Sequence, residues 1–212
     1  SGLKLKSFKT PVTKNMEYFD QGYGYIIYET EAFIDDKGAE IVLPEIHDIA
    51  HIYIDGIYTK TLLRHSENKI VSVEGKGKHK VSIVVENMGR VNYGIRLKDY
   101  KGLVGDLCIH DLRYNMYTRL MNINTYSLPL DELPENYGGE ISENEPGFYK
   151  YELNVDKAQD TVMHLEGFTR GVAFINGFNL GRHWDTPLSD NKLFIPAPLI
   201  KEGKNEIVVF DI

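Results

Sequence analysis

The chain has 212 residues, 42% of them hydrophobic and 26% charged, with a formal net charge of -7 and a single cysteine. That length suits one large domain or two of roughly 100 residues each, and the composition supplies enough apolar and aromatic surface to exclude a disordered chain. The acidic balance, with lysines and arginines scattered, repels a phosphate backbone, so nucleic acid is not an expected partner. Strand signals then recur along the chain. Residues 23–28 are aromatic and β-branched, and 51–54 lead into Asp55-Gly56 and a returning Ile57-Tyr58. Such an Asx-Gly pair between alternating apolar runs predicts a two-residue hairpin. Residues 81–85, 148–155, 162–165, 172–175, 192–195 and 206–210 continue the series. Short strands at this spacing predict an all-β sandwich or barrel. Residues 111–121 carry apolar positions at helix-like spacing, but Tyr114, Tyr117 and Thr118 suit a strand, and extended structure is expected there. The stretch 129–147 is rich in Pro, Gly, Asn, Glu and Ser and reads as a long loop.

An internal repeat organises these elements. Ile49-Ala-His-Ile-Tyr-Ile-Asp-Gly-Ile-Tyr58 matches Arg170-Gly-Val-Ala-Phe-Ile-Asn-Gly-Phe-Asn179 in pattern. Each is followed by a Lys/Gly-rich turn and a strong strand, Gly75 to Val85 and Lys201 to Phe210. Each is preceded by an aromatic strand. Two copies of one β-sandwich are therefore expected: a first all-β domain at 1–111, with an N-terminal linker over 1–20, and a second at 112–212, containing the loop 129–147.

No apolar run approaches about 18 residues, the length of a spanning helix, and no membrane partner is expected. Cys108 stands alone, so no intrachain disulfide forms. Residues 1–10 are basic and polar and do not read as a signal peptide. Ser1-Gly2 reads as a tag remnant or processed end of something longer. Compartment and oligomeric state stay open at this point.

The segment Gly167-Phe-Thr-Arg-Gly-Val-Ala-Phe-Ile-Asn-Gly-Phe-Asn-Leu-Gly-Arg-His-Trp184 closely resembles a signature of family 35 β-galactosidases. Residues 192–198 and 203–210 fit the same family, as do 21–30, 47–56 and 85–94 in the first half. The resemblance runs through nearly the whole chain, in order. It implies two galactose-binding-like jelly-roll domains in tandem, lying after a catalytic (β/α)8 barrel that would be the partner of this region. It also implies a parent that removes terminal β-linked galactose with retention, by two carboxyl groups about 5 Å apart. The family's catalytic glutamates lie in the barrel. This chain lacks an alternating βα pattern and is shorter than a barrel of about 250 residues. No catalytic residue and no cofactor is therefore expected within it.

Three features remain as candidate sites. Gly89-Arg-Val-Asn-Tyr-Gly94 places Arg90, Asn92 and Tyr93 between two glycines, donors beside an aromatic face on a loop. It suits an interdomain contact or a substrate rim; equally, Arg90 can pair with a nearby carboxylate and Asn92 with its own backbone. Trp184, the one tryptophan, can stack on the apolar face of a β-galactoside or fill a core. His47 and His51 at i, i+4 on a strand share no ligating face in the helical sense, and no third ligand falls at metal spacing, so no metal is expected. Asp35-Asp36 and Asp131-Glu132 read as solvated loop charge rather than calcium ligands. The alternative reading of the whole is an independent galactose- or β-galactoside-binding module.

Overall fold

The computed structural model describes residues 5–95, 97–138, 146–186 and 190–212. The chain divides into two compact units, Lys4–Glu132 and Leu133–Ile212.

The first unit contains β1 (Lys6–Thr10), β2 (Tyr25–Ile34), β3 (Ala39–Val42), β4 (Glu45–His47), β5 (Ile49–Ile54) and β6 (Ile57–Leu63). These are followed by β7 (Ile70–Val73), β8 (Gly77–Glu86), β9 (Gly102–Val104), β10 (Cys108–Asp111), β11 (Met116–Arg119) and β12 (Ile123–Leu128). A six-stranded antiparallel sheet runs β1-β12-β2-β8-β5-β6, and a four-stranded one β11-β10-β3-β7. Strand β2 shows why the chain makes a sandwich. Ile26, Tyr28, Thr30, Ala32 and Ile34 are buried, while Glu29, Glu31 and Phe33 between them point to the other face. That period of two is what a pleated strand needs to send one face to a core. Across the ladder Tyr28 lies opposite Ile83, and Ile83 opposite Ile52, so the apolar rows coincide. They pack with Ile41, Val71 and Val73 of the smaller sheet, and with Ile46 and Leu103 of the β4–β9 pair.

The second unit contains β13 (Gly147–Val155), β14 (Thr161–His164), β15 (Arg170–Ile175), β16 (Phe178–Trp184), β17 (Lys192–Ile195) and β18 (Gly203–Asp211). Its four-stranded sheet runs β13-β18-β15-β16, with β14 paired to β17. Ala173, Ile175 and Val209 meet Met163 and Ile195 in its core.

The repeat extends to topology and local detail. The order β2-β8-β5-β6 in the first unit is matched by β13-β18-β15-β16 in the second. Both hairpins turn on two residues with positive φ: Asp55 at 53° and Gly56 at 82°, Asn176 at 48° and Gly177 at 81°. This is the type I′ geometry that Asx-Gly accommodates. The ladder register slips at the same place in each, between Ile52 and Tyr53 and between Ala173 and Phe174.

The boundary between units differs from the one expected at 111/112. It falls at 132/133 because β10 returns to pair with β3, and β12 lies between β1 and β2. Of the expected linker 1–20, the described residues 5–20 are likewise more than a linker. Strand β1 is an edge of the large sheet, and a short 3-10 helix, Met16–Phe19, buries Met16 and Phe19. Of the expected loop 129–147, residues 129–138 carry no strand, β13 begins at Gly147, and 139–145 lie outside the described residues.

Candidate functional site

Residues 87–101 connect β8 to β9 and carry Arg90, Asn92 and Tyr93. The base of this loop is tied down by polar contacts. Asn87 donates its amide N–H to Gly24 O at 3.1 Å, and its side chain donates to Gly22 O at 3.0 Å. Gly89 N donates to the Asn87 side chain at 2.9 Å. Arg90 donates through Nε to Gly22 O at 2.8 Å and pairs with Glu17 at 2.6 Å. Of the two readings open for Arg90, the pairing with a carboxylate of its own unit is the one observed.

Beneath the loop lies a cluster of ionic side chains. Lys101, 2% exposed, donates from Nζ to both Asp48 oxygens at 3.0 and 2.8 Å and sits 2.9 Å from Asp99. Arg64 grips Asp99 with two parallel bonds of 2.8 and 2.7 Å and reaches Asp48 at 3.0 Å. Met88 N donates to Asp48 at 2.8 Å, so the loop's first residues hang directly on the cluster. His47 Nδ1 donates to Tyr100 O at 2.5 Å and lies 3.3 Å from Asp99. The carbonyl can only accept, which places a hydrogen on that nitrogen.

Two carboxylates balanced by Lys101 and Arg64 satisfy the condition under which buried charge is tolerated. The Asp99 carboxyl is held well below the usual carboxylate range, first by the Arg64 bonds and then by Lys101. Burial works against ionisation of Asp48, but the bonds from Lys101, the Met88 amide and Arg64 outweigh it, and its pKa is also lowered. The Arg64 guanidinium is correspondingly raised, chiefly by its bonds to Asp99. A glycosidase needs one carboxyl kept protonated to act as acid. Asp48 and Asp99 are driven the other way, and their oxygens already accept from lysine and arginine. Their chemistry is that of a fastener.

Above this base the loop's far end is apolar and uncovered. Tyr93 is 89% exposed and Ile95 fully so, with Val91, Leu97 and Tyr100 also in solvent. Asn92 is exposed beside them. Burying a side chain of this size is worth about 1.5–3 kcal/mol, so each represents burial the unit leaves unrealised. Exposed apolar side chains gathered on one loop are the material of contact surfaces.

Trp184, at the end of β16 in the second unit, is 44% exposed. The Arg170 guanidinium, its cross-strand partner, stands 3.9 Å from the ring centroid. One indole face is thus occupied by the protein itself, leaving a smaller platform than a free tryptophan would offer a sugar.

The sequence missed Asp48, Arg64, Asp99 and Lys101. They are spread over 54 positions and each is an ordinary charged residue; the β5–β6 hairpin sets Arg64 beside Asp48, and the β4–β9 pairing and the return of loop 87–101 bring up Asp99 and Lys101. Of the acidic pairs expected to be solvated, Asp36 lies 3.0 Å from Arg113 and is exposed, whereas Asp35, 3.5 Å from Arg113, has a side chain only 19% exposed; Asp131 accepts a hydrogen bond from the Tyr23 hydroxyl.

Residues 11–124 match the family model described as the β-galactosidase first all-β domain, and residues 146–205 match that of the β-galactosidase galactose-binding domain. The chain belongs to the β-galactosidase family. It is 33% identical over 200 residues to human Beta-galactosidase-1-like protein 2, covering 90% of this chain and 30% of that protein. It is 27% identical over 230 residues to Beta-galactosidase 17 of Arabidopsis thaliana, covering 93% and 32%. A Beta-galactosidase of Xanthomonas manihotis is 32% identical over 173 residues, covering 80% and 28%. The chain therefore spans about a third of the length of the curated relatives it matches. Among solved structures, an apo lectin of Pleurotus ostreatus superposes at a TM-score of 0.31 with 10% identity, too low a likeness to carry an argument.

Proposed function

We propose that this chain is a non-catalytic region of a retaining β-galactosidase whose parent removes terminal β-linked galactose. On this reading its partner is the (β/α)8 catalytic barrel of the same parent chain, and loop 87–101 packs on that barrel and shapes the rim of its cleft. The observation that carries it is the contrast within one loop: an apolar tip at Tyr93 and Ile95 left in solvent, on a base fixed by buried ionic bonds. A loop anchored at its base without covering its own apolar residues is prepared for a partner surface, because less ordering entropy remains to be lost on contact than from a free segment. The share of relatives' length that the chain spans leaves room for such a partner.

The test has two arms. The purified chain should give no turnover of an aryl β-galactoside; release of the aryl group above background would overturn the non-catalytic reading. In the full-length parent, Tyr93→Ser with Ile95→Ser should lower thermal stability or shift KM. The same pair in the isolated chain should change stability by no more than about 0.5 kcal/mol, as for other exposed positions. An unaltered parent would remove the loop's assigned role.

The half-exposed indole of Trp184 favours a second reading, an independent galactoside-binding module. It requires calorimetric heat with galactose or a β-galactosyl disaccharide that disappears in Trp184→Ala. Flat titrations at millimolar sugar would end it.

A further inference from the structure

The two units fasten their hairpin turns in the same way but with different chemistry. In the second unit Asn176, at the β15–β16 turn, donates its amide N–H to Glu206 O at 2.8 Å and accepts from Glu206 N on Oδ1 at 3.0 Å. Its Nδ2 donates to Asn205 Oδ1 at 2.8 Å, and Asn205 Nδ2 donates to Lys201 O at 2.7 Å. In the first unit Asp55 occupies the place of Asn176. It donates its N–H to Lys80 O at 2.9 Å and accepts from Lys80 N on Oδ1 at 2.8 Å. His79 occupies the place of Asn205: its Nδ1 lies 2.7 Å from Asp55 Oδ2 and its Nε2 2.9 Å from Gly75 O, four residues back as Lys201 is from Asn205. Even the flanking ion pair is conserved between the copies, Lys78 with Glu31 and Lys204 with Glu152, at 2.6 and 2.5 Å.

The difference is in protons. A carbonyl oxygen accepts and cannot donate, and an ionised aspartate likewise, so both ring nitrogens of His79 must carry hydrogen to make both bonds. The asparagine pair makes its bonds in a single, non-titrating state. We propose that Asp55 and His79 form a proton-dependent clamp joining the β5–β6 turn to the β7–β8 turn, and that the second unit carries the pH-independent version of the same device.

The surroundings are compatible with an imidazolium. Asp55 is the carboxylate that bonds the ring. Lys78 and Lys80 flank His79 on β8, but each is met by an acid on β2, Glu31 and Glu29, at 2.6 and 2.7 Å. Glu74 and Lys76, of opposite sign, lie in the β7–β8 connection. The Asp55 bond, followed by that to Gly75 O, raises the His79 pKa, while the Lys80 amide, followed by His79, lowers that of Asp55. A raised histidine contributes stability that is complete below its ordinary value of 6.5 and is lost as pH climbs through the folded value. A lowered aspartate contributes above 3.8 and loses its contribution as pH falls through its folded value. The clamp is therefore closed between the ordinary aspartate and histidine values and opens as pH climbs through the folded value of His79.

The test is the whole chain, with the pair exchanged between units. Asp55→Asn with His79→Asn should flatten the alkaline decline of the first unit's thermal midpoint between pH 6 and 9. Asn176→Asp with Asn205→His should give the second unit a decline it lacked. The remaining ionisable groups are common to wild type and variant, so the difference between profiles is what is read. An NMR titration of wild-type His79 decides the matter independently of whether the variants fold. An apparent pKa above 6.5 supports the clamp; one at or below 6.5, or a variant that keeps the full wild-type slope, overturns it.

Discussion

Lys101→Met tests the ionic base of loop 87–101 most directly. The substitution keeps the aliphatic stem and deletes the ammonium, removing contacts of 3.0 and 2.8 Å to Asp48 and 2.9 Å to Asp99. Both acids remain, with side chains only 12% and 5% exposed, and Arg64 is then the cation that faces them. Breaking a buried ion pair from one side costs about 3–5 kcal/mol, because the stranded charge cannot recover its water. The retained Arg64 fork on Asp99 argues for the lower end, about 3 kcal/mol, a sizeable part of the roughly 5–15 kcal/mol that holds a domain folded. Urea unfolding of the first unit, followed by far-UV circular dichroism, measures it. Exchange of the Met88 amide, which donates to Asp48, locates the effect in the loop. The two proteins should also converge in acid. Asp48 and Asp99 are both lowered, so their contribution is present above 3.8 and disappears as pH falls through the folded values. A loss below about 1 kcal/mol at pH 7 would place Lys101 among ordinary surface pairs and refute the reasoning.

Two further expectations concern the cores. The Tyr28 hydroxyl donates to Lys14 O at 2.8 Å and accepts from Leu103 N at 3.2 Å inside the first unit. Tyr28→Phe should therefore cost about 1–3 kcal/mol, read as a lowered unfolding midpoint, because both backbone groups lose their partner. Gly171 lies where an added Cβ would fall 1.8 Å from Phe210 O, a backbone atom that cannot swing aside. Gly171→Ala should destabilise the second unit by at least the roughly 1–3 kcal/mol of an overpacked site, followed by fluorescence of Trp184, which belongs to that unit; an unchanged midpoint would show that β15 and β18 can separate freely.

Legibility in the sequence divided along physical lines. The all-β class and both hairpins were readable because alternation and Asx-Gly turns are local, and the repeat was readable because it preserves those local signals. The join that the sequence suggests lies about twenty residues early, inside the β10–β11 hairpin. The pairings of β10 with β3 and of β12 with β1 and β2 are long-range, and no local pattern announces them. Strand β1 reads as a linker in sequence because its exposed lysines hide an edge strand's polar face. The loop bearing Arg90, Asn92 and Tyr93 could be singled out from its glycines and mixed chemistry. Its anchoring lysine could not, since a lysine in sequence reads as solvated unless its counter-charges are known to converge on it.

The pairing of β1 with β12 has a consequence for how the first unit can be handled. Lys6 stands opposite Ser127, so the first and last strands of this body are neighbours in one sheet, with paired residues about 5 Å apart. A module whose two ends emerge together can be spliced into a surface loop of a foreign host without prying that loop open. The first unit, trimmed near this rung, thus becomes a candidate graft, able to carry the Tyr93–Ile95 prow onto other scaffolds.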